Sequence, residues 1–299
     1  LTGAVATDAN VLAPMYELAA LDVKVFSHGT ATLSDSLMLS HVLELMREIG
    51  GLFMHLPGEP SLHPQGQAHP GVLATSMGLA GIPAEAEAIG MWRDVQLVKK
   101  TSQPLHWWQV SSADNLFILQ SAKTFGCTAG VSAAHLWWNE QAIEGFAAHR
   151  KLMPPLRTEK DRLALIKAVE DGTLTCMTSG HMGWSFTQKQ APFTASPFGA
   201  HTLRSNAVAV LDLVQQGVLS LKAAILALSY GPRDLMKESQ PTFKEGAPAH
   251  YTLFSTAQKT TFPPYEGYEA KEANPWAGKT LNAKIAGVWI DGSCRNIAL

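Results

Sequence analysis

The sequence predicts an α/β protein built as a (β/α)8 TIM-type barrel, followed by a small β appendage. Three observations carry that expectation. Short apolar runs alternate with longer amphipathic segments six times in series, which is the pattern of a parallel sheet covered by helices. No Gly-x-Gly-x-x-Gly turn follows any run, so a barrel is favoured over an open, doubly wound nucleotide-binding sheet. After Pro232 the pattern changes to period-two alternation around turns.

Taken in order, the predicted strands are 3–6, 23–27, 52–55, 105–110, 127–131 and 174–178. Between them, 36–49 (SLMLSHVLELMREI) repeats Leu, Val and Met at helical spacing. Segment 84–100 starts after Pro83 with two glutamates in its first turn, where they complement the helix dipole. Segments 115–125 and 160–169 read as helices by the same criteria. In the tail, 242–255 and 283–291 alternate like half-buried strands around Glu245-Gly246 and Asp291-Gly292, while 263–275 reads as irregular loop. The expected division is a barrel over 1–236 and a β segment over 237–299.

At 299 residues, 46% of them hydrophobic, the chain can bury a large core. A net charge of −2 gives no electrostatic reason to expect nucleic acid or an anionic membrane as partner. No apolar stretch approaches the roughly 20 residues of a membrane span, and Leu1-Thr2-Gly3 does not open a signal-peptide pattern. Cys127, Cys176 and Cys294 are far apart and odd in number. They fit neither a disulfide framework nor a zinc ribbon, and point to a reducing, cytoplasmic setting.

In a β/α barrel the chemistry sits at the C-terminal ends of the strands. The second run ends at His28-Gly29, the third at His55, and the fourth carries His106 and Gln109. The fifth leads to His135, and the sixth to Gly180-His181. Histidines at so many successive strand ends raise the question of a metal site.

Several long motifs answer it by resemblance. KLMPPLRTEKDRLALIKAVEDGTL (151–174) resembles the K-x-N-P-P-L-R-x-x-x-D-R-x-A-L segment of the dihydroorotases, in the amidohydrolase superfamily. GIPAEAEAIGMWRDVQLVKKTSQPLHWWQVSS (81–112) is similar to that family's AE…R helix and the strand ending His-x-x-His-Val-Ser. VFSHGTATLSDS (25–36) resembles F-S-D-D-G-x-x-x-x-D-S, and MHLPGEPSL (54–62) resembles His-x-Glu-Asp-x-x-L. APFTASPFGAHTL (191–203), GVLSLKAAILALSYGP (217–232) and FKEGAPAHYTLF (243–254) resemble the end of the barrel and its C-terminal β segment.

The resemblance implies a metal-dependent hydrolase barrel entered at its third strand. The family holds one or two zinc ions through a His-x-His on the first strand, a carboxylate after the fourth, histidines on the fifth and sixth, and an aspartate on the eighth. That aspartate also shuttles the proton in ring opening or closure. Here His28 or Gly29 stands at the fourth-strand position, His55 matches the fifth, Gln109 replaces the sixth-strand histidine, and Gly180 replaces the aspartate. No His-x-His strand occurs in the sequence. Met153 stands for the asparagine of N-P-P-L-R, and Met182-Gly183-Trp184 for the A-P-H after the catalytic pair. Without its first two strands the barrel would expose sheet edges. Either upstream residues or another segment would close it.

The magnitude at stake is large. Zinc lowers the pKa of bound water from about 15.7 to about 7, or about 12 kcal/mol in making hydroxide available at neutral pH. A glutamine is no substitute for an imidazole at zinc, and a glycine offers neither ligand nor general base. The expectation is therefore a dismantled site: no catalytic residue, no metal and no cofactor, with His28, His55, His106, Gln109, Gly180, His181 and Trp184 as its remnants. As the resemblance implies, such a subunit scaffolds the catalytic chain of aspartate carbamoyltransferase in pyrimidine synthesis, within a homo- or hetero-oligomer. The alternative is a working cyclic-amide hydrolase with an altered zinc set, His28 standing in for the carboxylate. A third reading is a ligand pocket lined by Trp107, Trp108, Trp137, Trp138 and Trp184.

Simpler roles stand beside these. The histidines serve as hydrogen-bonded relics, and the tryptophans fill vacated volume or cover a partner surface. Ser111-Ser112 and Ser132 with His135 lack an orienting acid. Lys99-Lys100 and 159–162 read as solvated helix faces, with Asp161 capping or salt-bridging locally.

Overall fold

The computed structural model describes residues 2–5, 11–264, 273–290 and 292–295. Six parallel strands form one sheet in sequential order: β1 (Thr2–Ala4), β2 (Val25–Ser27), β3 (Leu52–His55), β4 (Leu105–Trp107), β5 (Thr128–Ser132) and β6 (Cys176–Thr178). They fall on the six predicted runs with ends that differ by up to three residues, β3 matching its run from end to end; Ala6 lies outside the described residues. Neighbouring strands in sequence are neighbours in space, joined by helical crossovers, as in the arc of a β/α barrel. Fold class and topology are therefore those of a (β/α)8-type barrel. Among the described residues β1 and β6 are the free edges.

The helices are α1 (Met15–Ala20), α2 (Ser36–Ile49), α3 (Val72–Ser76), α4 (Ala84–Thr101), α5 (Ala113–Ala122), α6 (Ala133–Trp137), α7 (Glu159–Glu170), α8 (Phe186–Lys189), α9 (Asn206–Gln215), α10 (Leu221–Ile225) and α11 (Gly231–Leu235). Local chemistry sets their ends. Asp35 caps α2 by accepting from the Met38 amide, and Gly50 closes it at φ +69°. Thr158 and Asp161 form a reciprocal capping box on α7, so Asp161 acts as the third helical residue, with Thr158 as the cap.

Strand register decides which side chains meet the helices. Phe26, Phe53 and Leu105 are aligned, as are His55, Trp107 and Ala129, and Val131 with Met177. This face packs on α2, α4, α5 and α7 and holds the main buried cluster. The opposite, barrel-side face carries Val25, Leu52, Met54, His106, Thr128, Gly130 and Cys176. A cavity of about 560 Å³ opens at the strand starts, among Val25, Leu52, Leu105, Thr128 and Thr175. It lies at the end away from the site residues.

The tail forms an antiparallel sheet of β7 (Tyr251–Ser255), β10 (Lys284–Ile290) and β11 (Ser293–Arg295), and a β8 (Thr260–Thr261)–β9 (Thr280–Leu281) pair. The expected strand over 242–255 is corrected to its last five residues; Pro248 and a Glu245-Gly246 turn interrupt the rest. Trp276, Leu281, Ala283 and Ile285 join the main cluster, so the tail is packed onto the barrel helices.

Candidate functional site

The strand ends can be assembled residue by residue. His55 ends β3 on the helix-facing side, fully buried, with its ring stacked on Phe53 at 5.4 Å. Its Nε2 lies 3.5 Å from Asp94 Oδ2 on α4 and 3.4 Å from the Arg93 guanidinium. Asp94 is itself saturated, accepting from Trp107 Nε1 at 2.9 Å and from Arg93. Burial lowers the His55 pKa to about 4, against the raising pull of Asp94, so the ring is neutral at pH 7. Its Nδ1 is buried without a partner. A carboxylate behind an imidazole is the support a metal-binding histidine ordinarily has, and of the strand-end histidines His55 has it.

His106 points the other way. It shares its register with Met54 and Thr128, on the barrel side, while His55 shares its own with Trp107. Adjacent in the sheet, the two imidazoles lie on opposite faces. His106 Nδ1 meets Thr128 Oγ1 at 2.7 Å, its Nε2 has no partner, and burial lowers its pKa to about 3.

Gln109 follows β4 and donates from Nε2 to His135 Nδ1 at 3.2 Å, leaving its Oε1 buried and unpartnered. His135 Nε2 lies 3.0 Å from the Pro154 carbonyl, which only accepts. That nitrogen therefore carries the proton, and Nδ1 also accepts from Ser132 Oγ at 2.8 Å. A carbonyl takes the place where a triad would need an acid. With a pKa lowered to about 4 by burial, His135 is a weak base at neutral pH.

Gly180 sits at φ +59° after β6. A Cβ added there would stand 3.2 Å from Gln109 Oε1 and 3.4 Å from Ser132 Cβ. The position has closed around the missing side chain. Gln109, Ser132, Met153, Gly180, Met182 and Gly199 line a cavity of about 10 Å³. That is room for about one water, against roughly 300–1,000 Å³ for a small-molecule site.

The remaining predicted residues do not converge on this cavity. His28 is half-buried beyond β2, next to the Gly29 turn. His181 is exposed, and its Nδ1 accepts from the Thr202 and Leu203 amides. Trp184 donates to the Phe198 carbonyl at 2.7 Å. The tryptophans form no shared pocket: Trp107 is bound to Asp94 in the helix layer, whereas Trp137 and Trp138 pack together and Trp137 also packs on Trp276. Among the described residues, no three His, Cys, Asp or Glu side chains are placed to share a metal ion. The residues present do not fit a zinc centre of the family's kind.

The sequence reading missed the polar groups that the motifs do assemble. Glu87, placed in the first turn of α4, is buried and accepts from the Ser111 amide at 2.8 Å and from its hydroxyl. Arg157 of the Pro-Pro-Leu-Arg run donates to Ser111 Oγ at 3.0 Å and to the Ile82 carbonyl. Asp161 accepts from the Ala113 amide at 2.8 Å, besides capping α7. Lys151 and Lys189 were also missed, although a lysine flanked by apolar residues and prolines is a visible sign of burial.

No family model matches the chain. The dihydroorotase of Caldanaerobacter subterraneus subsp. tengcongensis is 30% identical over 242 residues, covering 79% of this chain and 56% of that protein. The dihydroorotase-like protein of Pseudomonas aeruginosa is 28% identical over 269 residues, 89% of this chain and 63% of its own length. This chain thus spans little more than half to just under two thirds of these relatives. Among solved structures, the L-hydantoinase of Arthrobacter aurescens superposes with a TM-score of 0.82, at 17% identity, over 98% of this chain and 69% of that one. At that identity the likeness speaks to the fold.

Proposed function

The chain is a relative of the dihydroorotases in the amidohydrolase superfamily, and from that premise we propose that it is a non-catalytic, dihydroorotase-like subunit. In this reading it is kept for its surface. It serves the assembly of an aspartate carbamoyltransferase catalytic chain in pyrimidine biosynthesis, in the cytoplasm, as part of a homo- or hetero-oligomer, with no cofactor. The observation that carries the reading is the pairing of Gly180 with Gln109. The aspartate position has lost its side chain, and the neighbouring amide and Ser132 leave only about 10 Å³ there. A site that only awaited its metal would keep the space and the donors.

One observation favours a second reading, an active cyclic-amide hydrolase with an altered zinc set. His55 keeps a carboxylate at one ring nitrogen and an unpartnered nitrogen at the other. The relatives are longer than this chain, and any further ligands would have to come from the remainder.

Zinc analysis of the purified protein, paired with dihydroorotase assays in both directions, separates the two. The first reading expects substoichiometric zinc, no turnover, and co-purification with a transferase whose assembly is lost without this chain. Stoichiometric zinc with turnover abolished by His55→Ala would overturn it.

A further inference from the structure

Between β6 and α9, residues 179–205 fold back across the strand ends. Met182 donates its amide to the Ala200 carbonyl, and Gly199 donates to the Lys151 carbonyl at 2.8 Å. Met182 and Gly199 both wall the small cavity beside Gly180. The segment is therefore the cover of the candidate site.

Within the cover the chain turns sharply after Pro192, whose carbonyl accepts from the amides of both Ala195 and Ser196 at 2.8 Å. The carbonyls that follow are met by lysine side chains. Lys151, 2% exposed, donates from Nζ to Phe193 at 2.6 Å and Ser196 at 2.7 Å, with the Thr194 carbonyl at 3.5 Å. The same nitrogen lies 5.1 Å from the centre of the Phe193 ring and 4.7 Å from that of Phe198. Lys189, fully buried, donates to the next carbonyl, Pro197, at 2.8 Å. Short bonds to carbonyls and ring faces within about 6 Å are the contacts of a positively charged nitrogen. Burial lowers the Lys151 pKa to about 8, so the group is an ammonium at pH 7. Buried ammonium groups ordinarily carry an acid partner. Among the described residues none pairs with Lys151; carbonyl oxygens and ring faces take its place. The histidines of the loop are engaged elsewhere: His201 Nε2 donates to the Trp184 carbonyl, and His181 Nδ1 accepts from the Thr202 and Leu203 amides.

We propose that residues 192–198 form a cage for a monovalent, ammonium-type cation, that the Lys151 side chain is its tethered occupant, and that this charge locks the cover over the strand ends. The carbonyls of Phe193 and Ser196 are buried where Lys151 meets them. With no cation present they would face one another unpaired, and the turn would have to open to reach water. The inference concerns the cover alone and holds whether or not the chain is catalytic.

Hydrogen exchange of Lys151→Ala at pH 7 tests it, because the substitution empties the cage and keeps the backbone. The amides of Ser196 and Gly199 should lose protection by roughly tenfold or more, while those of α4 do not change. At constant ionic strength n-propylammonium should restore that protection saturably, since it returns the carbons and the charged nitrogen that the substitution removes. The neutral 1-propanol, which returns volume without charge, should not. If Lys151→Ala does not fold, nitrogen NMR of the lysine side chains in the native chain replaces it. The cage then requires a slowly exchanging ammonium signal for Lys151, with proton contacts to the Phe198 ring. Protection kept in Lys151→Ala, a loss that n-propylammonium does not reverse, equal rescue by 1-propanol, or a neutral or freely exchanging Lys151 amine in the native chain would overturn it.

Discussion

Two buried polar clusters lie close together in this barrel, and they differ in one respect. In the first, Glu87, Ser111, Arg157 and Asp161 have their polar atoms paired, with backbone amides, a carbonyl and one another. In the second, His55 Nδ1, His106 Nε2 and Gln109 Oε1 are buried with no partner. Buried polar groups are ordinarily satisfied, because leaving one unpaired costs about 1–3 kcal/mol. The first cluster therefore contributes to folding as it stands. The second is a scatter of unpaired atoms rather than a network: His55 and His106 lie on opposite faces of the sheet, so no single partner could serve them both. Selection for a fold preserves the first kind.

The most forceful way to break the comparison is to remove one member of the paired cluster. Arg157→Met leaves Glu87 buried at 3% exposure without its cation and strips a donor from the Ile82 carbonyl. A loss of about 3–5 kcal/mol is expected, measured by urea denaturation. Glu87→Gln in the same background should recover part of it, because the stranded charge is then gone. A loss under about 1 kcal/mol for Arg157→Met would mean that the network is incidental.

This contrast explains what could be read from the sequence. The six strands and the helices α2, α4 and α7 follow from periodicity and caps, which are local and leave local signatures. The proposed loss of the site rests on single positions that can be read directly, since a glycine at 180 has no side chain and a glutamine at 109 is no imidazole. What was not legible was direction. That His55 faces the helices while His106 faces the barrel depends on which residues pair across β3 and β4, and a two-residue alternation does not disclose that beforehand. Nor does a heptad-scale pattern reveal that Glu87, apparently placed for a helix dipole, is a buried acceptor for Ser111.

A second, smaller effect comes from protons. His106 and His135 are buried neutral, with pKa values lowered to about 3 and about 4. Both folded values lie below the unfolded value of about 6.5, so the unfolded chain binds more protons in between. Stability is fully present above about pH 6.5 and falls as pH drops toward 4, by up to about 2 kcal/mol per histidine at pH 5. Urea midpoints across this range should therefore decline before any ordinary carboxylate titrates. His106→Asn should flatten part of the slope. A midpoint constant from pH 7 to pH 5 would show that these rings reach water.

The smallest expected effect is the most discriminating, because its sign is at issue. Gln109 donates one hydrogen bond to His135, which Ser132 also serves, and carries an unpaired buried oxygen. Replacing it with a methionine of similar length removes a bond and an unsatisfied acceptor together. The two terms are each about 1 kcal/mol and opposed, so Gln109→Met should lie within about 1 kcal/mol of the parent and can fall on the stabilising side. A polar residue in a fold-holding network does not behave so, as the Arg157 variant would show. If Gln109→Met instead cost 3 kcal/mol or more by the same urea measurement (roughly what stranding a buried charge costs), the strand-end cluster would be as structurally committed as the motif network. The distinction between retained scaffold and abandoned site would then fail.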